Sequence, residues 1–384
     1  MFYKIPILLI GIISIIVVFG DYIPVNIAEI LFGISLTIKS IIIFFLPVII
    51  FCLLFKASVN LAKDASKIII IIFTGVIFSN FLTTSISHFV GSVIYGLDLS
   101  LIMPSENDSL KSNSLFIMPS LIANHYALFS GIILGIISAK ININFAISAS
   151  LIFEKIVNSL LKFITMLIPF FITGFIIKMQ FDGTISQILK DYTLIFTIVA
   201  MTQLSYIFCL YFIFEKFNIN NAIVSIKNMI PAALSGFSTM SSAATMPLTI
   251  IGASRNAQNK NLVQTVIPAT VNIHLIGDCI AIPCFAFAIL KNYNLATPDI
   301  YAYFIFTIYF VLAKFSVAAI PGGGIIVMLP ILEQYLGFNT EMLSLITALY
   351  ILFDPIITGF NVLGNGAFAK MIDKTLVTTK SAKI

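Results

Sequence analysis

The sequence contains little charge: only 10% of its 384 residues are Asp, Glu, Lys or Arg, whereas 59% are apolar. A soluble domain carries about 25% charged residues. Apolar stretches of about 20 residues, the length needed to cross a hydrocarbon core of about 30 Å, recur from the first residues almost to the last. We therefore expect an integral membrane protein with many spans, built as a single domain over residues 1–384.

Cysteine is scarce, and catalytic motifs are missing from the sequence. The four cysteines stand in apolar surroundings without paired metal-ligand spacing, so neither a disulfide framework nor a zinc site is expected. A membrane enzyme would need a nucleophile, a base and an acid within reach. Ser241 or Ser242 with His274 can be imagined in these roles, but no G-x-S-x-G or metal motif supports them, and we do not expect an enzyme.

The net charge of +5 is less informative than the position of the charges. Lysines collect in alternate loops, and acidic residues occupy the loops between them. The lysines are Lys56, Lys63, Lys67, Lys140, Lys216, Lys227, Lys370, Lys374, Lys380 and Lys383, and the acidic residues are Asp21, Glu29, Asp98, Glu106 and Asp108. The positive-inside rule then predicts an inner (plasma) membrane protein with both termini in the cytoplasm. Nucleic acid is not an expected partner.

Full spans are predicted where the apolar stretches are long enough. The stretch from Ile5 to Gly20 resembles a signal peptide, but no small-residue cleavage site is followed by a soluble protein, so we interpret it as a span. The predicted spans are 5–20, 28–56, 67–97, 121–139, 148–179, 190–214 and 341–372, with a further apolar helix at 261–289.

Two segments differ from the apolar spans in amino-acid composition. Residues 232–253 are rich in small and hydroxylated side chains and contain Pro247, and residues 316–329 contain Pro321 followed by three glycines. Irregular backbone at membrane depth survives only when protein covers it or when it lines a cavity. We predict two re-entrant hairpins with nonhelical tips at 241–247 and 319–324, a pattern that marks the substrate site of many transporters. Ordinary spans kinked by proline are the alternative.

The last predicted span carries Asp354, Asn361 and Asn365 in apolar surroundings. Spacings of seven and four residues place all three near one helical face. An ionisable group at this depth is expensive and indicates a functional site. The alternative is an aspartate that is satisfied by hydrogen bonds between helices.

Three motifs together resemble the dicarboxylate and amino-acid cation symporter family, also called the glutamate transporter family. Residues 239–247 (TMSSAATMP) and 319–324 (AIPGGG) resemble its two hairpin tips, and 354–365 (DPIITGFNVLGN) follows its last-helix signature. Further similar residues are Leu46, Pro47, Thr83, Thr84, 155–158 and Pro169. The resemblance covers the whole chain.

The resemblance implies an all-α polytopic fold of eight transmembrane helices and two re-entrant helical hairpins. It also implies a homotrimer in which a scaffold, about 1–66 and 118–185, holds a mobile transport part, about 67–100 and 186–375. The family function is secondary-active symport by an elevator-type movement. An anion-conducting channel and a family relic that no longer transports are alternatives.

An amino-acid substrate would meet an acceptor for its ammonium and donors for its carboxylate. By resemblance, Asp354 pairs with the ammonium, Thr358 adds a hydroxyl, and Asn361 donates to the α-carboxylate. The remaining expected substrate contacts are Ser241, Ser242, Asp278, Ile320, Gly323 and Ile357.

Two departures from the family bear on the substrate. Ile357 and Met240 stand where acidic-substrate members carry arginines. Isoleucine cannot replace a guanidinium that grips a carboxylate with two hydrogen bonds. We therefore expect a neutral amino acid, and an acidic amino acid or dicarboxylate remains the alternative.

The coupling ion is expected to be sodium, a proton or both. Gapless alignment from Pro268 puts Ile276 and Asn365 where the family has two aspartates, which removes two anionic ligands. Oxygen donors for sodium remain at Thr83, Thr84, Asn361 and Asn365. A sodium site built from backbone carbonyls near the second hairpin is also compatible with the sequence. No other cofactor is expected, and the partners are the solute, lipid and two further copies of the chain.

His274 and Asp278 are new ionisable groups, placed one turn apart on the predicted helix 261–289. A histidine beside a carboxylate is a plausible proton relay. The alternatives are a hydrogen-bonded packing histidine with Asp278 as a substrate contact, or an alignment that is shifted by two residues.

Overall fold

The structure is a computed structural model of the chain, and it is helical. It describes residues 11, 12, 14–16, 18–63, 67–97, 116, 118, 119, 121–181, 185–317 and 322–381. Its α-helices are α1 (Val25–Lys63), α2 (Lys67–Tyr95), α3 (Asn124–Ile141), α4 (Ile143–Phe181), α5 (Ile185–Phe214), α6 (Ile219–Thr239), α7 (Ser242–Asn256), α8 (Lys260–Thr270), α9 (Ile276–Asn292), α10 (Ile300–Lys314), α11 (Gly323–Ile326), α12 (Leu329–Leu336) and α13 (Thr340–Ser381).

Several helices are suited to a bilayer. Within the described ranges, five are long and apolar enough to cross a membrane: α1, α2, α4, α5 and α13. The predicted spans at 28–56, 67–97, 121–139, 148–179, 190–214 and 341–372 each fall on one helix, from α1 to α5 and on α13. The predicted span 5–20 lies largely outside the described residues. The chain is thus a multi-pass membrane protein, and the count of eight spans stays a prediction.

A first group of helices, α1, α3 and α4, packs through close backbone contact. Gly131 and Gly135 on α3 face α1, where a Cβ on either would lie 2.7 Å from the carbonyl oxygen of Phe51 or Phe55. Gly174 on α4 abuts Leu31 in the same way. Small residues four apart let membrane helices approach closely. We call this group the glycine-packed group.

A second group contains the other long helices. α9 packs against α2 and α13, and α13 also packs against α6 and α7, whereas α13 and α5 meet α4 at few positions. Polar side chains are buried throughout this group. We call it the polar-core group, and the segments of both predicted hairpins belong to it.

The first hairpin is formed by α6 and α7. Asn228 donates to the Asn256 side chain over 2.8 Å and Asn256 donates to the Ser225 carbonyl over 2.9 Å, which ties the two arms together. At the turn, only Met240 and Ser241 lie outside a helix. The predicted nonhelical tip at 241–247 is therefore wrong beyond Ser241.

The reason is a helix cap. The Ser241 side chain accepts a hydrogen bond from the Ala244 N–H, which satisfies an open donor of the first turn and starts α7 at once. Pro247 lies inside α7, where it removes one backbone hydrogen bond without ending the helix.

The second hairpin begins with α10 and continues into α11 and α12. Residues 318–321 lie outside the described residues, and with them most of the predicted tip at 319–324. Gly322 adopts a left-handed conformation with φ 73°, which glycine tolerates. Gly323 and Gly324 then form the start of the short helix α11. The predicted nonhelical tip is therefore wrong at these two residues, which are helical.

The predicted apolar helix at 261–289 is wrong as a continuous element. It is divided into α8 and α9 by the irregular segment 271–275. Asn80 on α2 donates to the Ile273 carbonyl over 2.7 Å and accepts from the Leu275 N–H over 3.3 Å. One distant amide thus satisfies the backbone that the break exposes, which is the condition for irregular structure in a membrane interior.

Candidate functional site

A small cavity lies where the two hairpins, the break between α8 and α9, and α13 converge. Its volume is about 30 Å³, room for about two water molecules. The lining residues are Met240, Ser242, Val271, Asn272, Leu275, Asp278, Val317, Gly324, Tyr350, Asp354, Thr358 and Asn361. Two carboxylates therefore face one buried space.

Asp354 is held by neutral donors. Its Oδ1 accepts from the Thr358 hydroxyl over 2.9 Å, and its Oδ2 accepts from the Gly322 N–H over 2.8 Å. Its side chain is buried, and within the described residues no basic side chain forms an ion pair with it. A buried carboxylate of this kind attracts a cation.

Asp278 is neutralised inside the protein. Its Oδ2 pairs with the Lys314 ammonium at 2.8 Å, and both side chains are buried. Its Oδ1 accepts from the Tyr350 hydroxyl over 3.1 Å and from the Asn361 amide over 2.9 Å. The Tyr350 hydroxyl also lies beside Asp354, so it joins the two carboxylates.

Asn361 organises the start of α9. Its Oδ1 accepts from the backbone N–H groups of Gly277 over 2.8 Å and Asp278 over 3.4 Å. A Cβ on Gly277 would overlap the Ile357 carbonyl, so glycine is required where α9 meets α13. The amide of Asn361 thus caps α9 and orients the Asp278 carboxylate.

One site is thus formed by the two hairpins, the broken helix and the carboxylate of the last helix. Comparison with known proteins shows to which family the chain belongs. A model of the sodium:dicarboxylate symporter family matches residues 5–375. The chain belongs to this family. The family is one of transporters, and enzymatic catalysis is not its function.

Curated relatives match a smaller part of the chain. Excitatory amino acid transporter 1 of Mus musculus is 26% identical over 209 residues, which are 54% of this chain and 37% of the relative. Excitatory amino acid transporter 5 of Homo sapiens is 28% identical over 53% of this chain and 36% of its own length. The excitatory amino acid transporter of Onchocerca volvulus is 24% identical over 61% of this chain and 50% of its own length. The chain thus spans half or less of the curated relatives it matches.

The structure brings most of the expected substrate contacts of this family member to the cavity. Ser242, Asp278, Asp354, Thr358 and Asn361 line it. The amide of Asn361 is already bonded to Asp278, so it is not free to donate to a substrate carboxylate in this conformation.

The other expected contacts lie elsewhere. Ser241 caps α7 just outside the lining, and Gly323 precedes the lining residue Gly324. Ile357 is fully buried in the apolar core instead of lining the cavity. Ile320 lies outside the described residues.

The expected sodium donors differ in how many hydrogen bonds they already make within the protein. The Thr83 hydroxyl donates to the Ser79 carbonyl over 2.6 Å and contacts the Tyr206 hydroxyl at 3.1 Å. The Thr84 hydroxyl lies beside the Cys279 thiol, but it makes no hydrogen bond of ordinary geometry within the described ranges. Thr84 is therefore the better fit to a cation.

Asn365 and Gln203 add two buried oxygens. Asn365 donates to the carbonyls of His274 and Asn361, while its Oδ1 makes no regular hydrogen bond among the described residues. Gln203 donates to the Gly277 carbonyl over 2.8 Å, and its Oε1 is likewise unpaired there. Neutral oxygens suit a hard cation such as sodium.

The prediction that His274 and Asp278 share one helical face is wrong. His274 lies in the irregular segment before α9, and its Nε2 bonds the Ser79 hydroxyl at 2.9 Å. Its ring packs against Phe368 with 4.4 Å between centroids. Because Asn80 supports a break here, the regular spacing assumed for these two residues does not apply.

Sequence reasoning missed three polar side chains in or beside the cavity. Lys314 reaches Asp278 from 36 positions away, and Tyr350 was hidden in the apolar run of the last helix. Asn272 lines the cavity from the break between α8 and α9. The family has an asparagine two residues before the aspartate that the gapless alignment puts at Ile276, and the register shifted by two residues would have placed Asn272 at that asparagine.

Proposed function

We propose that the protein is a secondary-active symporter that moves a neutral amino acid across the membrane with a coupled cation. The observation that supports this most is that the two cavity carboxylates have different partners. Asp278 already has a cation, Lys314, whereas the hydrogen bonds of Asp354 within the described residues come from neutral donors. An ammonium group of a substrate is the natural partner of Asp354.

The charge balance of the site disfavours an acidic substrate. The sequence has one arginine, Arg255, and it stands at the end of α7, outside the cavity lining. Lys314 is fully buried and bonded to Asp278. A second substrate carboxylate would thus meet no available cation among the described residues that line the cavity, and like charges at close range repel each other.

Donors for one carboxylate are present at the first hairpin. The first N–H groups of a helix have no partner inside the helix, and α7 begins with Ser242, whose side chain lines the cavity. Asn272 lines the cavity as well. This set suits the α-carboxylate of an amino acid whose ammonium lies on Asp354.

Transport requires the site to open. A cavity of about 30 Å³ is too small for an amino acid, so a hairpin has to move to admit one. The second hairpin is the proposed gate, since its Gly322 N–H bonds directly to Asp354. A substrate ammonium that competes for Asp354 would loosen this bond.

The proposed movement is of the elevator type. The polar-core group corresponds to the expected transport part, about 67–100 and 186–375, and the glycine-packed group lies in the expected scaffold, about 1–66 and 118–185. We propose a homotrimer in the inner (plasma) membrane with cytoplasmic termini. The sparse contact between the two groups supports their relative movement.

The coupling ion is proposed to be sodium, a proton or both. The family name points to sodium, and the side-chain oxygens of Thr84, Gln203 and Asn365, which make no regular hydrogen bond among the described residues, are the proposed neutral ligands. A relay through His274 stays a prediction, since the ring is bonded to Ser79 and not to Asp278.

An acidic amino acid or dicarboxylate is the second candidate. It is favoured by the family name and by the names of the excitatory amino acid transporters. An anion channel or a non-transporting relic would show no saturable exchange.

The test is uptake by purified protein in proteoliposomes under separate sodium and pH gradients. We expect saturable uptake and counterflow of alanine or serine. Uptake of glutamate or succinate without uptake of any neutral amino acid would contradict the proposal. Asp299→Asn is a matched control for Asp354→Asn, because Asp299 is an exposed cap outside the site, and asparagine caps a helix as well as aspartate.

A further inference from the structure

The ion pair of Lys314 and Asp278 has no role in the proposed binding of substrate. Its two atoms are 2.8 Å apart, and the side chains are 0% and 1% exposed. The Lys314 ammonium also lies 4.8 Å from the centre of the Phe310 ring. Burying two charges is costly unless the geometry is good and the remaining donors and acceptors are satisfied.

The pair joins the second hairpin to α9. Lys314 is the last residue of α10, the first arm of the second hairpin, and Asp278 lies in the first turn of α9. Three residues after Lys314, Val317 lines the cavity. The ammonium thus ties the hairpin arm to α9 directly beside the substrate cavity.

The residues around Asp278 favour its contact with Lys314. Three donors converge on its carboxylate, from Lys314, Tyr350 and Asn361. A Cβ on Gly324 would overlap both the Asp278 carboxylate and the Tyr350 hydroxyl. Three donors, one of them a cation, thus already occupy the carboxylate, and the Lys314 ammonium stands where a sodium ion would have to bind.

We propose that the Lys314 ammonium is a resident cation that takes the place of a dissociable coupling cation between the second hairpin and α9. The hairpin then closes on α9 without sodium at this position. The inference refines the proposed symport by removing one cation from the transported set. It also replaces the expectation of a backbone-built sodium site beside the second hairpin.

The first experiment compares thermal unfolding of the purified protein in sodium chloride and in choline chloride. The variant Lys314→Ala leaves Asp278 without a cation and opens space beside it. We expect sodium to raise its Tm by about 2 °C or more relative to its effect on the wild-type protein. Lys314→Arg keeps the charge and should gain no sodium response.

The matched control is the double variant Lys314→Ala with Asp278→Asn, which lacks both charges and should lose the gained response. If Lys314→Ala gains no response, or if the double variant keeps it, the inference is overturned. A wild-type sodium response that Asp278→Asn alone abolishes would overturn it as well. These outcomes do not depend on transport, so they are distinct from a failure of the proposed function.

A second measurement keeps the inference testable if Lys314→Ala does not fold. Val317→Cys places a thiol at the cavity, in a background where the exposed Cys209 is replaced by serine and the other three cysteines stay buried. With Lys314 present, we expect its labelling rate to be equal in sodium and choline within about twofold. A slowing of about tenfold by sodium would show that a dissociable cation closes the hairpin and would overturn the inference.

Discussion

The glycine-packed group and the polar-core group solve the same packing problem in different ways. In the first, Gly131, Gly135 and Gly174 bring helix backbones into contact. In the second, glycine contact of this kind also occurs at Gly277, but buried amides and charges join the helices as well, as Asn80 does across the break and Asn361 at the start of α9. Close backbone contact gives a fixed frame, whereas polar contacts can be exchanged for a ligand, which agrees with placing the proposed substrate site in the second group.

Inside the polar-core group, two ion pairs show the same contrast between a fixed contact and one that borders the cavity. Lys370 pairs with Glu215 at 2.8 Å and also donates to the Asn256 carbonyl. This pair anchors the base of the first hairpin to α13 and α5. The Lys314 and Asp278 pair instead borders the cavity, where a change of contacts can move a hairpin.

The largest expected effect is that of Asp354→Asn. The change keeps the shape of the side chain but removes the charge that is proposed to hold the substrate ammonium. We expect uptake of a neutral amino acid to fall by about 100-fold or more, as a charged hydrogen bond is lost. Uptake by proteoliposomes measures it, with Asp299→Asn as the control. Uptake within threefold of wild type would remove Asp354 from the substrate site.

The next effect concerns the glycine-packed group. In Gly135→Val, the new side chain meets the Phe55 carbonyl, which is 2.7 Å from an ideal Cβ, so the helices must separate. We expect a loss of about 1–3 kcal/mol in the free energy of unfolding. Thermal unfolding measures it, and Gly11→Ala is the control because no atom of the described residues lies within 4 Å of a Cβ built there.

The same variant sharpens the comparison of the two groups. Substrate selectivity should not change in Gly135→Val, because the cavity is formed by other helices. A changed preference among amino acids, measured by competition, would show that the division between the groups is wrong.

A smaller effect is expected when a cation is added to the cavity. Met240 lines it in a left-handed conformation with φ 51°. In Met240→Arg, a guanidinium can meet a second carboxylate, so glutamate should compete about tenfold better against a neutral amino acid than it does in the wild type. Met240→Gln, of similar length and uncharged, is the control, and an equal gain in both variants would exclude the charge as the cause.

The smallest effect is that of Tyr350→Phe. It removes one hydroxyl that donates to Asp278 over 3.1 Å, and the Lys314 pair remains. We expect a loss of about 1 kcal/mol in the free energy of unfolding. Thermal unfolding provides the measurement, and a loss as large as that caused by Asp278→Ala would mean that Tyr350 and not Lys314 dominates the stabilisation of this carboxylate.

The sequence predicted the long helices well for a simple physical reason. An apolar run that must cross a bilayer has to form a helix of matching length, so α1 to α5 begin and end within seven residues of the predicted spans. The carboxylate of Asp354 was found because a charge is conspicuous in such a run.

The parts that failed depend on distant residues. Nothing local to 261–289 shows that Asn80 will satisfy a break in that helix. The serine-rich tip looks irregular, although the Ser241 cap starts a helix immediately. Lys314 looks like a loop cation at the end of an apolar run, and only the fold shows that it meets Asp278.

The two cavity carboxylates can be probed together by thermal unfolding of the wild-type protein with alanine, lactate, succinate and glutamate. Alanine and lactate differ in the ammonium group, and a ligand that binds the native state raises its Tm. Asp278 is paired with Lys314, whereas Asp354 is proposed to pair with the ammonium of the substrate. Alanine should therefore stabilise the protein, and lactate, succinate and glutamate should not. Equal stabilisation by lactate or succinate would contradict this assignment of the two charges.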